Sequence, residues 1–189
     1  MGVSERKARQ RAEREGHITA AARSIAASEG WSAVTVRRLA AEIEYTQPVL
    51  YSHFENREAI VAAVALEGFR ELAIALRQAA QECAEGREAA RKVATAYLAF
   101  AAEQPALYEA MFTMASSLRF AQGDARPELQ DAFAALTAVV PASNGDVELA
   151  TETLWAALHG LVELERSGRI RPSARNERLA LVVDGLARF

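Results

Sequence analysis

The stretch "TQPVLYSHF" at residues 46–54 groups side chains that are suited to recognising a polar surface. Gln47 can form two hydrogen bonds with an adenine edge, and Pro48 offers an apolar face to the methyl group of thymine. Tyr51 and His53 can donate hydrogen bonds to phosphate oxygens, as can the backbone amides at the start of a helix. These residue types fit a surface that enters the major groove of double-stranded DNA.

Helical spacing divides the same stretch into an inner and an outer side. Leu50 and Phe54 lie one turn apart and are expected to pack inward on the preceding helix. The polar residues of the first turn then point outward. Pro48 is the third residue of the stretch, and its missing N–H costs little in the first turn of a helix. The alternative is that Tyr51 and His53 are boundary residues that pack against the next helix.

The surrounding sequence predicts two more short helices before this one and a longer helix after it. Apolar residues at helical spacing predict a helix over 17–29, which ends at Gly30. Thr35 and Thr46 are the expected N-caps of helices over 36–43 and 47–54, and Asn56 of a helix over 57–80. Three short helices with a tight turn between the last two describe a helix-turn-helix unit.

The rest of the chain also reads as helix, so we expect an all-α protein of about nine helices. Apolar residues make up 51% of the sequence, and Gly, Pro and Ser separate its amphipathic segments. We expect residues 1–57 to form a DNA-binding domain with a basic N-terminal arm, and residues 58–189 a helical domain for effector binding and dimerisation. The further helices are predicted over 87–103, 105–120, 127–140, 146–166 and 174–187.

Four segments at fixed spacing carry a family resemblance: "GW" at 30–31, "TVRRLA" at 35–40, "LYSHF" at 50–54 and "ENREAI" at 55–60. With them, residues 18–60 resemble the DNA-binding domain of the tetracycline-repressor (TetR) family of bacterial regulators. The resemblance implies a homodimer that binds a palindromic operator, with repression as the family default. It implies base contacts from Arg37, Gln47, Pro48 and Tyr51, and phosphate contacts from Thr35, Arg38, Thr46, the backbone of Val49, His53 and Arg57.

Three residues depart from the family pattern. Glu44 stands where the family usually has the glycine of the turn, and a left-handed backbone is costly for any residue with a Cβ atom. Tyr45 replaces a small aliphatic residue, and Val49 stands where a hydroxyl is common, so its side chain cannot bond a phosphate.

The second half of the chain resembles the C-terminal domain of one branch of the family. The matching segments are "EQPALYEAMF" at 103–112 and "LWAALHGLVEL" at 154–164. The resemblance implies a pocket for a small apolar or amphipathic effector of unknown identity. The alternative is that its aromatic and methionine side chains are core and that its histidine is buried. The predicted lining residues are Tyr97, Phe100, Tyr108, Met111, Phe112, Met114, Trp155 and His159.

The last two predicted helices carry more apolar residues than a monomer needs. A four-helix interface between two copies would bury them. The predicted interface residues are Leu154, Leu158, Leu161, Val162, Leu179, Val182, Val183 and Leu186.

Charge is distributed unevenly along the sequence. The net charge is −3, but residues 1–57 hold nine basic and seven acidic side chains, and the remainder is net acidic. The most basic segment runs from Arg6 to Arg14. It can follow phosphates or enter the minor groove, or it can be a disordered, solvated tail.

Other classes of protein find little support in the sequence. The three histidines have no metal-ligand spacing, Cys83 is the single cysteine, and no phosphate-binding loop or nucleophile elbow occurs. We therefore expect no catalytic residue, metal or cofactor. No apolar run approaches the ~20 residues that span a bilayer, so we expect a cytoplasmic protein without membrane contact. The remaining alternative is a helical ligand-binding or interaction protein without DNA binding.

Overall fold

The computed structural model describes residues 2–81, 86–115, 118, 126–141 and 145–186, apart from the side chains of Val3 and Leu186. The described residues form nine α-helices and no β-strand, which confirms the predicted all-α class. The helices are α1 (Val3–Glu29), α2 (Val36–Glu42), α3 (Gln47–His53), α4 (Arg57–Gln81), α5 (Arg87–Glu103), α6 (Pro105–Glu109), α7 (Pro127–Thr137), α8 (Val147–Arg166) and α9 (Arg175–Leu186).

The chain divides into two compact units. The first unit comprises residues 1–68 and 104–119, and the second comprises residues 69–103 and 120–189. Helix α4 is continuous across the division, so its first part belongs to the first unit and its remainder to the second. The predicted domain boundary after residue 57 stays a prediction.

Capping side chains begin several helices where the sequence predicts them. Thr35 Oγ1 accepts a hydrogen bond from the Arg38 N–H at 3.1 Å, and Asn56 Oδ1 accepts one from Ala59 at 2.8 Å. Asp146 Oδ1 accepts the Leu149 N–H at 3.0 Å. Each cap satisfies an amide that the first turn of a helix leaves without an intrahelical partner.

Helix α1 begins far earlier than expected. The sequence predicts a start near residue 17, but α1 starts at Val3 and continues through Gly16. The added segment consists of good helix formers without proline, and charged pairs four residues apart support it. Arg9 lies 3.8 Å from Glu13, and Arg11 lies 2.7 Å from Glu15. The basic arm is therefore helical rather than a disordered tail.

The predicted single helix over 105–120 is also wrong. Helix α6 ends at Glu109 and is followed by a π-helical turn over Ala110–Met114, after which residue 115 is no longer helical. The Ala115 N–H bonds to Ala110 O at 3.0 Å, one residue farther than in an α-helix. The extra residue keeps Met111 and Ala115 buried along with Leu107. Residues 116, 117, 119 and 120 lie outside the described part of the chain.

The first unit has its own core. It is formed by apolar side chains of α1, α2, α3, α4 and α6 and by Trp31, whose indole N–H donates to Ala106 O at 2.8 Å. Arg23 of α1 also donates to the Gln104 side chain. Residues 104–119 are thereby held in the same unit as the three predicted helices of the helix-turn-helix.

In the second unit, a buried carboxylate joins α8 to α9. The Glu165 side chain is 8% exposed and accepts hydrogen bonds from Arg175 at 2.5 Å and Arg178 at 2.7 Å. Burial opposes ionisation, but the two guanidinium groups outweigh it and hold the pKa of Glu165 below its ordinary value. The two arginines thus take the place of water as hydrogen-bond donors to this carboxylate.

We expect Glu165→Gln to lower the free energy of unfolding by roughly 1–3 kcal/mol, because two arginines lose a charged acceptor. Urea denaturation at neutral pH measures the change. Glu163→Gln is the matched control, since Glu163 makes a half-exposed pair with Arg166 at 3.6 Å. Equal stability of the two variants would show that the Glu165 cluster contributes no more than a surface ion pair.

Candidate nucleic-acid interface

Helix α3 is fixed to the first unit by one face and exposes the other. Leu50 is 1% exposed, whereas Tyr51, its neighbour in sequence, is 53% exposed. Gln47 and Pro48 are exposed in the first turn, and Phe54 is half-buried just after the last turn. The structure therefore places Gln47, Pro48 and Tyr51 on the outer face, as the helical spacing predicts.

The start of α3 differs from an ordinary capped helix in its hydrogen bonds. Thr46 is the N-cap residue, but its side chain makes no capping hydrogen bond. Its carbonyl instead accepts the N–H groups of Val49 at 3.0 Å and Leu50 at 3.3 Å. Pro48 removes one amide that a capping hydroxyl would normally accept. The Thr46 hydroxyl is consequently exposed beside Gln47.

The turn between α2 and α3 adopts the left-handed conformation that the sequence makes costly. Glu44 has a φ of 55°, the one positive φ among the described residues other than glycine. The next N–H, of Tyr45, donates to Ala40 O at 2.9 Å, and Ile43 donates to Leu39 O at 3.1 Å. This is the Schellman pattern of helix ends, in which glycine normally occupies the left-handed position.

Helix α2 presents two arginines with different surroundings. Arg37 is exposed, whereas Arg38 is half-buried between two carboxylates. Arg38 lies 3.1 Å from Glu29 and 2.6 Å from Glu42. The hydrogen bonds that Arg38 donates, above all the one to Glu29 and then the one to Glu42, raise the pKa of Arg38 above its ordinary value. A phosphate that binds Arg38 would compete with these two carboxylates for the guanidinium.

His53 and Arg57 have partners within the first unit. The side chain of His53 is 6% exposed, and its Nδ1 lies 3.4 Å from Glu15 Oε1. The Arg57 guanidinium donates to Val34 O and Trp31 O, both at 2.6 Å. Arg57 therefore holds the segment between α1 and α2, and the predicted phosphate contacts of both residues stay predictions.

Sequence reasoning missed the part that α1 plays beside α3. Glu15 accepts a hydrogen bond from Arg11 through the same oxygen that faces His53. The four-residue spacing of Arg11 and Glu15 in a charged segment is the signal that could have indicated this cluster. The cluster of Arg11, Glu15 and His53 brings the basic part of α1 next to the end of α3.

The predicted effector residues are divided between the units. Tyr108, Met111, Phe112 and Met114 lie in or just after α6 of the first unit, where the rings of Tyr108 and Phe112 are 4.6 Å apart. Tyr97, Phe100, Trp155 and His159 lie in the second unit.

Within the second unit, two of these residues are directly joined. The Trp155 indole N–H donates to Tyr97 Oη at 3.1 Å, and Tyr97 is fully buried. Phe100 is buried too, whereas His159 is half-buried. Burial lowers the pKa of His159, and Glu163 opposes that effect only in part.

An open cleft of about 570 Å³ in the second unit is lined by other residues. Helices α4, α5 and α9 form it, and it includes Gln78, Arg91, Lys92 and Asn176. The predicted effector residues are not among those that line it.

Most predicted interface residues face the interior of their own unit. Leu154, Leu158, Val162, Leu179 and Val183 are buried, and the Leu186 side chain lies outside the described part of the chain. Leu161 and Val182 are half-buried. The outer side of α8 and α9 instead exposes Leu149, Leu164 and Leu181, the last being 73% exposed.

Comparisons with known proteins match both halves of the chain. Residues 18–64 match the profile of "Bacterial regulatory proteins, tetR family", and residues 90–186 match "Tetracyclin repressor-like, C-terminal domain". The Mycobacterium tuberculosis protein named "Uncharacterized HTH-type transcriptional regulator Rv0681" is 31% identical over 147 residues, which cover 74% of this chain and 64% of that protein. The Bacillus subtilis regulator YobS is 34% identical over 93 residues, 49% of this chain and 48% of its own.

The chain thus spans less than two thirds of the length of either relative. The fold is shared with a solved protein of unknown function from Rhodococcus sp. RHA1, with a TM-score of 0.74 and 22% identity over 92% of this chain and 93% of that one. Among the described residues, no helix is long and apolar enough to cross a membrane.

The left-handed Glu44 predicts a stability difference between two substitutions that remove the same carboxylate. We expect Glu44→Gly to unfold with a free energy about 1 kcal/mol higher than Glu44→Ala, because only alanine keeps the Cβ clash. Urea denaturation of the two variants measures it. A more stable alanine variant would mean that the turn is not left-handed in solution.

The lowered pKa of His159 predicts a loss of stability on acidification. The unfolded chain takes up a proton below about pH 6.5, while the folded chain does so only at lower pH. The free energy of unfolding should therefore fall as the pH drops below about 6.5. In His159→Gln this part of the pH dependence should disappear, which thermal unfolding across pH 5–7.5 measures; an unchanged profile would assign the effect to other groups.

Proposed function

The chain belongs to the TetR family of bacterial regulators, and we propose that it is a homodimeric, ligand-responsive regulator of transcription that binds a palindromic operator and acts as a repressor. One observation carries the proposal: helix α3 exposes Gln47, Pro48 and Tyr51 while Leu50 anchors the same helix in the core. A surface of this shape and chemistry fits the major groove. Because operator DNA lies in the bacterial cytoplasm, the proposal also locates the protein there.

The contacts divide into those that select a sequence and those that position the protein. Gln47 pairs with adenine, Pro48 contacts a thymine methyl, and Tyr51 adds a contact from the next position on the exposed face. Exposed Arg37 reaches a guanine edge from α2. Phosphates are bound by Thr35, Arg38, Thr46 and the Val49 backbone. His53 and Arg57, the other two predicted phosphate ligands, already have partners within the first unit and would have to exchange them for a phosphate.

Two copies would place their α3 helices in successive major grooves, about 34–36 Å apart. We assign the contact between copies to the outer side of α8 and α9. Its exposed leucines at 149, 164 and 181 support this choice, since water-exposed apolar surface favours association. The predicted interface residues that are buried would hold α8 and α9 together behind this surface.

The effector in this proposal is a small apolar or amphipathic molecule that binds near Tyr97 and Trp155. Binding there would bias the conformation of the second unit. Helix α4 is one covalent route to the DNA-binding unit, because it is a continuous helix shared by both units. Coupling of this kind is typically ~1–3 kcal/mol and reciprocal, so operator DNA would weaken effector binding to the same extent.

Selection of bound sequences from a random pool of duplexes tests the proposal. Recovery of a palindrome with half-sites about one helical turn apart would support both DNA recognition and two-fold symmetry. Absence of any enrichment would overturn it and favour a helical ligand-binding or interaction protein. The ratio of affinities for the recovered duplex in the presence and absence of a candidate effector then measures the coupling.

Two substitutions separate sequence reading from phosphate binding. We expect Gln47→Ala to cost ~1–3 kcal/mol on the selected operator and to relax the preference at one base pair of each half-site. Arg38→Gln should weaken binding to the operator and to random duplex alike, because phosphates carry no sequence. Fluorescence anisotropy on both duplexes measures the effects. If the two variants lost the same affinity on both DNAs, the division of roles would be wrong.

A further inference from the structure

The part of α1 before Gly16 forms an exposed charged helix. Residues 4–14 are all exposed, and the segment lies before the stretch that matches the family profile, which begins at residue 18. From residue 3 to residue 16 it extends about 20 Å at ~1.5 Å per residue. Nothing in the function proposed above uses it.

Its charges are sorted onto two opposite sides. Lys7, Arg11 and Arg14 follow one another at helical spacing of four and three residues, so they form one stripe, which we call the basic stripe. Arg9 and Glu13 lie on the opposite side, where they pair at 3.8 Å. The helix is therefore cationic on one side and close to neutral on the other.

Two of the three basic-stripe cations lack a carboxylate neighbour. Among the described residues, no carboxylate lies within ion-pair distance of Lys7 or Arg14, whereas Arg11 pairs with Glu15 at 2.7 Å. An exposed, unpaired cation is well suited to bind DNA, because it loses no carboxylate partner and its binding releases a cation condensed on the phosphates. In the free chain, Lys7 and Arg14 have no such partner among the described residues, and Glu15 serves Arg11 alone among the three.

One end of the basic stripe lies beside the last residue of the helix proposed to bind DNA. Glu15 Oε1 accepts the Arg11 hydrogen bond and also lies 3.4 Å from Nδ1 of His53, the last residue of α3. The stripe thus begins at the end of the recognition helix and runs away from it along α1. Its charge complements the phosphate backbone that borders the groove where α3 would lie.

We propose that the basic stripe is a second DNA-binding element, in which Lys7 and Arg14 bind phosphates beyond those reached by α2 and α3. The proposal rests on the function proposed above. It commits to duplex DNA as the partner and extends the contacts of each copy by about 10 Å, the distance along α1 from Arg14 to Lys7, which is equivalent to about three base pairs. The element selects no sequence, since its ligands are phosphates.

The test compares two arginines that lie on opposite sides of α1. Arg14→Gln should weaken binding to the selected palindrome roughly fivefold at 0.15 M salt and lower the slope of log K against log salt by about 1 per copy. Lys7→Gln with Arg14→Gln should double the change in slope. Arg9→Gln removes the same charge from the other side and should stay within twofold of the unchanged protein. Circular dichroism checks that all variants keep their helix content.

A second arm uses palindromes with and without about six flanking base pairs on each side. The unchanged protein should bind the longer duplex more tightly, and the double variant should lose that preference. Equal losses in Arg14→Gln and Arg9→Gln would overturn the second element alone, since long-range charge would then explain both. Failure of the unchanged protein to bind any DNA would overturn both proposals.

Discussion

A helix of seven residues has to be held in place by its neighbours. Isolated helices of this length are unstable in water, because so few backbone hydrogen bonds repay the cost of nucleation. Helix α3 exists because Leu50 is buried in the core of the first unit and because its ends are fixed on both sides. Everything proposed for its outer face depends on that burial, which orients the exposed residues as a rigid set.

The fixing of α3 uses the backbone as much as side chains. The left-handed Glu44 turns the chain sharply between α2 and α3, and it satisfies carbonyls at the end of α2. On the other side, Arg57 binds two carbonyls of the segment before α2, so the start of α4 is tied to the start of the unit. A charge near the proposed DNA surface thus serves the architecture, and charge alone does not identify a phosphate ligand.

Much of this could be predicted from the sequence, and the failures have identifiable causes. Caps at Thr35, Asn56 and Asp146 are local chemistry, so the helix starts that they fix were predicted correctly. The extension of α1 has no apolar periodicity and was missed for that reason, since charged pairs and propensity support it. The π-helical turn after α6 leaves no sequence signal, because packing sets it. At the site, the outer residues of α3 followed from spacing, but the contact of His53 with Glu15 of α1 forms only in three dimensions.

The carboxylates around Arg38 have a consequence for how binding would respond to salt. Arg38 already holds Glu29 and Glu42 in place of mobile anions, so the protein carries part of its own ion atmosphere. When a phosphate takes over, a freed carboxylate attracts a cation from solution, which offsets a cation that the DNA releases. A count of phosphate contacts read from salt dependence would then fall below the number of arginines at the interface.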